Sequence, residues 1–168
     1  PEMNTLQTPT IQPLVSVVIT TRNEEKNIGN CLHSIRAQTW SAIEAIVVDN
    51  HSTDATLEIS ARLADKVAIK GPERSAQRNH GMINLASGEY VMYIDADMIL
   101  SPRLVECCVE HIQRTGAAAL HVSETVLGTG YFSRARRFER GFYDGTSIDG
   151  SRFFDRPTFV RIGGFDEA

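Results

Sequence analysis

Tyr90-Val91-Met92-Tyr93-Ile94-Asp95-Ala96-Asp97 is an apolar run that stops at two carboxylates one residue apart. Apolar and β-branched, with Gly88 upstream, it predicts a buried strand. A buried parallel strand has no packing reason to finish on two aspartates. Ligands of open α/β sheets sit outside the carboxyl ends of the strands, and hard divalent cations take carboxylate oxygens. The simplest chemistry for this pair is a metal ion held beside a polyphosphate.

Outward from this strand the chain alternates. Leu14 to Thr20 is a continuous apolar run of strand length. Asn23-Glu24-Glu25 reads as a helix N-terminus, a capping side chain followed by acids in the first turn. Ile28, Leu32 and Ile35 then recur at helical spacing towards Gln38. Ile43 to Asp49 is a second strand, and Ser52-Thr53-Asp54 opens a second helix carrying Leu57, Ala61 and Ala64. Lys66 to Ile69 is a third strand closed by Gly71-Pro72, and a helix from Arg74 to Ala86 leads into the Tyr90 strand. Ser101-Pro102 starts another helix, a cap with proline at the first position, running through Leu104, Cys108 and Ile112 to Gly116. Ala117 to Val122 is a fifth strand. Strand and helix alternating at intervals of roughly 25 residues predict an α/β fold, a mostly parallel sheet with helices on both faces.

The division that follows is an N-terminal arm (1–13), a nucleotide-binding-like half (14–122) and a partial second half (123–168). In the last part the rhythm breaks. Tyr131, Phe132, Arg134, Arg136, Arg137, Phe138 and Arg140 crowd one segment. The arginines fit either a basic loop beside an anionic ligand or the solvated face of a helix whose other face carries Phe138 and Phe142.

At 168 residues the chain is one domain by size, with a core of its own. A net charge of −4 gives no global sign of nucleic-acid binding. No apolar run approaches the roughly 20 residues that cross a bilayer. Pro1 to Pro13 has neither a basic n-region nor an apolar h-region and reads as a loose arm rather than a signal peptide. Cys31, Cys107 and Cys108, odd in number and without C-x-x-C spacing, fit buried, inert thiols in a reducing compartment better than disulfides or zinc. The expected location is the cytoplasm, the inner face of the membrane being an open alternative. The five histidines show no ligand spacing, and only His51 falls among the strand-end residues.

Three predicted strands end in polar groups: Thr20-Thr21-Arg22-Asn23-Glu24, Asp49-Asn50-His51-Ser52-Thr53-Asp54, and Asp95-Ala96-Asp97. Singly, Asn23 or Asp49 serves equally well as a cap or turn residue. In a doubly wound sheet the three ends share one edge and converge on one crevice.

The segments VSVVITTRNEEKNIGNCLHSI, IVVDNHSTDAT, RNHGMINLASGEYVMYIDADMIL and RFFDRPTFVRIGGFDEA resemble family 2 glycosyltransferases of the GT-A fold. The resemblance runs from about Val15 to the end and is weak between Ser123 and Ser147. It implies that Asp49 binds the nucleotide base, whose identity stays open because a carboxylate accepts from uracil or guanine N–H groups. It implies that Thr20, Arg22 and Glu24 cradle base and ribose, and that Arg78 lies close to the donor, where a guanidinium suits a carbonyl or phosphate oxygen; otherwise Arg78 is a solvated helix-face arginine. Asp95 would hydrogen-bond the ribose and lie beside the metal. Asp97 would ligate Mn²⁺ or Mg²⁺ bridging the phosphates of a nucleotide-diphospho-sugar, neutralising charge on the leaving diphosphate. The acceptor, a saccharide or lipid-linked hydroxyl, would be served from residues 123–168. The implied reaction is an inverting displacement assisted by a general base. The family's acidic base motif is expected beyond Gly163-Gly164-Phe165-Asp166-Glu167; Asp166 and Glu167 are the candidates within the chain.

Two other functions compete. Haloacid-dehalogenase-type phosphatases also place D-x-D after a strand, but after the first one, with Thr or Val where this chain has Ile99. A donor-binding domain without turnover is the other alternative. A dinucleotide-binding Rossmann domain is disfavoured, since no G-x-G-x-x-G follows the first strand.

Overall fold

β1 (Val15–Thr21) is buried at every residue and is the axis of the sheet. In a computed structural model describing residues 12–140 and 150–167, it pairs in parallel with β2 (Ile43–Asp49) on one side and β4 (Tyr90–Asp95) on the other. β3 (Lys66–Ile69) adds in parallel beyond β2. These four strands are the predicted ones, and their parallel pairing follows from the intervening helices α1 (Ile28–Arg36), α2 (Thr56–Leu63) and α3 (Arg74–Asn79). The α/β architecture, mostly parallel with helices packed on both faces, is as expected.

Both faces of the sheet are apolar, which is why its strands read as near-continuous hydrophobic runs. Val15, Val17, Ile19, Met92 and Ile94 pack with Ile28, Leu32 and Ile35 of α1 and with Val105, Val109 and Ile112 of α4 (Leu104–Thr115). Val18, Ile46, Val48, Val91 and Tyr93 pack on the other face with Met82, Ala86 and Phe159. Met82 lies in a π-helical segment, His80–Leu85, that continues α3. There Gly81 is pressed on the sheet so closely that a Cβ would stand 2.3 Å from Val18 Cγ1.

The expected order fails after α4. The fifth strand shrinks to β5 (Ala119–Leu120) and does not lie beside β4. β6 (Phe153–Asp155) inserts between them, antiparallel to both, so the order is β3-β2-β1-β4-β6-β5. Three residues are too few to show a period. What places them is burial of Phe153, which stacks on Tyr90 with ring centroids 5.6 Å apart.

Helix starts also shift. Asn23 does not cap α1: it sits in the left-handed region (φ 54°), tolerable for asparagine, and the helix opens at Ile28. α2 starts at Thr56 and buries Thr56 and Ser60; Leu57 is half-buried and Ala61 exposed. Burying those hydroxyls is tolerated because Thr56 Oγ1 donates to Asp54 Oδ1 and Ser60 Oγ to the Thr56 carbonyl. Ser101-Pro102 precedes α4 by a turn, and Gly116 ends it at φ 69° as expected. Residues 131–140 do form a helix, α5 (Tyr131–Arg140), in which Phe138 is 73% exposed. Phe142 and most of the N-terminal arm (1–11) lie outside the described residues. Gln12 and Pro13 are tied down, since Ser41 Oγ donates to the Gln12 side chain and Trp40 Nε1 to the Pro13 carbonyl. α6 (Arg156–Arg161) is capped by Asp155, which accepts from the Thr158 N–H.

At the amino edge of the sheet, Glu44 Oε1 accepts from Ser16 Oγ at 2.6 Å and from the Ser87 N–H at 2.6 Å, while Lys66 Nζ lies 2.9 Å from Oε2. Burial pushes the Glu44 carboxyl up, but Ser16, Lys66 and Ser87 together hold it below its usual 4.5. Stability contributed by a lowered carboxyl is present above the unfolded value and is lost as pH falls through the folded one. Melting temperatures taken from about pH 6 to about pH 3 should therefore drop less steeply for Glu44→Gln than for the native chain, with the variant less stable at neutral pH. The cysteines give a second test. Cys31 and Cys108 are buried as expected, but Cys107 is exposed, because neighbouring helical residues point about 100° apart. Burial pushes Cys31 up to about 12, with Asp97 and Asp95 adding to it, and burial pushes Cys108 up to about 11. A disulfide reagent should find one reactive thiol in the native protein, lost in Cys107→Ser, and all three cysteines in denaturant.

Candidate active site

The strand register lines up the polar ends. Thr20 pairs with Asp95 and Thr21 with Asp49, so the three carboxyl ends form one row at one edge of the sheet. Alternation then sends them to different faces. Asp95 shares a face of β4 with Val91 and Tyr93, and Thr20 shares it from β1 with Val18. Asp49 lies on the opposite face with Ala45 and Val47.

Two loops frame the edge, and their side chains lace them together. Asp49 is fully buried; its carboxylate accepts from the Ser52 N–H at 2.7 Å and from Ser52 Oγ at 2.5 Å. Ser52 Oγ in turn accepts from the Asn23 N–H, and Asn23 Oδ1 accepts from the Thr53 N–H, both at 2.8 Å. Glu24 N–H donates to Thr56 Oγ1, and Glu24 Oε2 accepts from Asn27 Nδ2. Arg22 is exposed on the rim between these anchors. His51, also exposed, holds a left-handed conformation (φ 52°) in the turn after β2. Beneath the loops Gln77 Nε2 donates to the Val48 carbonyl at 2.9 Å, and Thr21 Oγ1 is buried without a partner.

Asp95 has the densest surroundings. Oδ1 accepts from Thr20 Oγ1 and from Arg78 Nη2, both at 3.4 Å, and Oδ2 faces Arg152 Nη2 at 3.7 Å. The Arg78 guanidinium carbon stands 4.2 Å from the Tyr93 ring centroid and that of Arg152 4.9 Å, a cation–π arrangement. Arg78 is thus largely buried against the site, which excludes the solvated helix-face alternative. Asp97, two residues on, is exposed in the turn after β4, where the Met98 N–H closes on the Asp95 carbonyl. Among the described residues no group of three or more His, Cys, Asp or Glu is placed to hold a metal ion. Among the described residues, Asp95 and Asp97 are the two carboxylates at the end of β4. That donor set fits a hard cation completing its shell with phosphate and water oxygens.

Asp166 and Glu167 belong to a different part of the edge. Gly163 and Gly164 turn at φ 86° and 79°, and a Cβ on Gly164 would lie 2.3 Å from Asn79 Oδ1. Asn79 clamps the turn: Oδ1 accepts from the Phe165 N–H, and Nδ2 donates to the Phe165 carbonyl and to Glu167 Oε1, each at 2.8 Å. Phe165 is thereby set edge-on to Tyr93, Phe154 and Phe159. Exposed Asp166 follows it. A groove of about 250 Å³ passes Lys70, Asn79, His80 and Glu167 and includes neither Asp49 nor Asp95.

Sequence reasoning missed Tyr93, Asn79, Glu124 and Arg152. Tyr93 was within reach, because a residue two before Asp95 on a strand shares its face. Arg152 carries no such signal, since the antiparallel insertion of β6 brings it to Asp95, and Glu124 enters as an ion-pair partner of Arg152. The arginines of α5 also stand apart: Arg134, Arg136 and Arg137 are exposed, and Arg137 Nη1 donates to the Val126 and Gly128 carbonyls.

Comparison with known proteins matches this geometry to a family. The profile of glycosyl transferase family 2 matches residues 16–165. Glycosyltransferase GlyG of Streptococcus pneumoniae is 31% identical over 124 residues, 70% of this chain and 39% of that protein. Glycosyltransferase AglE of Haloferax volcanii is 34% identical over 113 residues, 62% of this chain and 37% of its own. Among solved structures, the mannosyltransferase PcManGT of Pyrobaculum calidifontis, in complex with GDP-Man and Mn²⁺, superposes with a TM-score of 0.71 at 25% identity over 94% of this chain and 49% of that one. TarS of S. aureus in complex with UDP-GlcNAc has the same fold, with a TM-score of 0.64 at 20% identity over 89% of this chain and 47% of that one. The chain thus spans less than half the length of each of these proteins. No helix among the described residues is long and apolar enough to cross a membrane. A family match that takes in nearly the whole chain, on a sheet of the same architecture, leaves one assignment: the chain has the GT-A fold and belongs to glycosyl transferase family 2.

Proposed function

We infer that this chain binds a nucleotide-diphospho-sugar across the carboxyl edge of β1, β2 and β4 and serves its transfer, with inversion, to an acceptor hydroxyl. The observation that carries this is the register that sets Thr20 against Asp95 and Thr21 against Asp49, with Asp97 exposed just beyond. The site is taken to be the donor half of the reaction. Asp49, held rigid by Ser52, takes the base; Thr20, Arg22 and Glu24 line the base and ribose; Asp95 takes the ribose hydroxyls. Arg78 sits where a guanidinium neutralises phosphate oxygens. Mn²⁺ or Mg²⁺ would be held by Asp97 with Asp95 alongside. Such an ion supplies Lewis-acid neutralisation of the leaving diphosphate. That PcManGT forms a complex with GDP-Man and Mn²⁺ supports this reading.

Glu167 is engaged by Asn79, and we assign it to holding the Gly163–Glu167 turn rather than to deprotonating the acceptor. The acceptor, a saccharide or a lipid-linked hydroxyl, would approach from the side of residues 123–168. The alternative of a domain that binds donor without turnover differs only in the last step, and a transfer assay separates the two: release of nucleoside diphosphate that depends on added acceptor establishes turnover.

A thermal-shift series with UDP-, GDP- and dTDP-sugars, each with and without Mn²⁺, checks donor binding. One nucleotide should raise the melting temperature by about 5–10 °C when Mn²⁺ is present at roughly a hundredfold excess of ligand over its Kd. Asp97→Ala should abolish the Mn²⁺-dependent part and leave the unliganded melting temperature within about 1 °C, because Asp97 is exposed. A shift that survives Asp97→Ala undiminished would remove the metal from this position.

A further inference from the structure

Arg152 is fixed by the sheet from both sides. Its carbonyl accepts from the Tyr93 N–H at 3.1 Å, and its N–H donates to the Leu120 carbonyl at 3.0 Å. Its side chain is 13% exposed and lies over Tyr93. Nη2 is in close contact with Glu124 Oε1 on one side and stands 3.7 Å from Asp95 Oδ2 on the other. Together with Arg78 on Oδ1, this leaves the Asp95 carboxylate held by a cation at each oxygen.

Stability alone is a poor reason for such a cluster. Ion pairs withdrawn from water seldom gain on an apolar packing of the same volume. Arg78 Nε and Arg152 Nη1 are moreover buried without a hydrogen-bond partner, a condition that folded proteins ordinarily avoid. What the arrangement does achieve is restriction. A planar fork stacked on a ring and anchored by Glu124 allows Asp95 few orientations, which a lysine, a point charge on a flexible stem, does not reproduce.

We propose that Arg152 is a positioning residue of the donor site, acting through Asp95: backed by Glu124 and stacked on Tyr93, it sets the Asp95 carboxylate for the nucleotide sugar. The proposal rests on the donor-site reading above. Arg152 is far from Asp95 in sequence, and only the β4–β6 pairing brings the two together.

The test is calorimetric titration of the full chain with GDP and with UDP in the presence of Mn²⁺. The proteins compared are the native chain, Arg152→Lys, Asp95→Asn and the double variant, each with a thermal melt. Arg152→Lys should weaken nucleotide binding about tenfold or more at a nearly unchanged melting temperature. In the Asp95→Asn background it should add less than about twofold, because coupled residues are not additive. Glu124→Gln, which leaves Arg152 in place but loosens its anchor, should weaken binding in the same direction and serves if Arg152→Lys folds poorly. Native-like binding in Arg152→Lys and Glu124→Gln, or an equal cost of Arg152→Lys with and without Asp95, overturns the role of Arg152 while the donor site stands. Failure of the native chain to bind either nucleotide overturns both.

Discussion

Everything at the site depends on one constraint, the in-register parallel pairing of β1 with β2 and β4. Backbone hydrogen bonds between three buried strands bring Thr20, Asp95, Thr21 and Asp49 level with one another. Slippage by one residue would turn every side chain to the opposite face. With both faces of the sheet apolar, the cost of such a slip falls on Val15, Val17 and Ile19 on one side and Val18 on the other. The polar edge is therefore held in place by the apolar packing of the strands behind it.

A second layer of order comes from short polar side chains at the edge. Asn23, Ser52, Asp54 and Thr56 cross-link the loops after β1 and β2, their side chains accepting from backbone N–H groups that neither strand nor helix reaches. These bonds explain why Asn23 leaves the helix it was expected to cap. Local competition between side chain and backbone is strong for such residues, and the pull of a neighbouring loop decided it. On the other side of β4, Asn79 performs the equivalent task for the Gly163–Glu167 turn. The strand-end edge and the Gly163–Glu167 turn are thus both fastened to α3, whose Gln77, Arg78 and Asn79 reach the Val48 carbonyl, Asp95 and Phe165 in turn.

Much of this was legible beforehand. Four strands, their order of appearance and the convergence of three polar ends could be read because buried parallel strands are long apolar runs and ligand edges interrupt them abruptly. Arg78, named from its place in the chain, lies largely buried 3.4 Å from Asp95. The failures cluster where local pattern is short or where a polar residue has two uses. β6 is three residues long; α2 buries Thr56 and Ser60, beside rather than at the expected Leu57 and Ala61; Cys107 and Cys108 are adjacent yet face apart.

The chain's own order of residues determined the α/β class, the parallel core of four strands, the edge at which the polar strand ends gather and the family to which it belongs. These depend on patterns a few residues long: apolar runs, caps and clustered carboxylates. Only the tertiary structure decided that Asp49 and Asp95 project to opposite faces of that edge, that Glu167 is bound by Asn79, and that Arg152 reaches Asp95. Each of these requires segments distant in sequence to meet, through strand register, through an antiparallel strand seated by buried Phe153 or through a turn seated by the ring contacts of Phe165. Contacts of that kind leave no periodic trace along the chain.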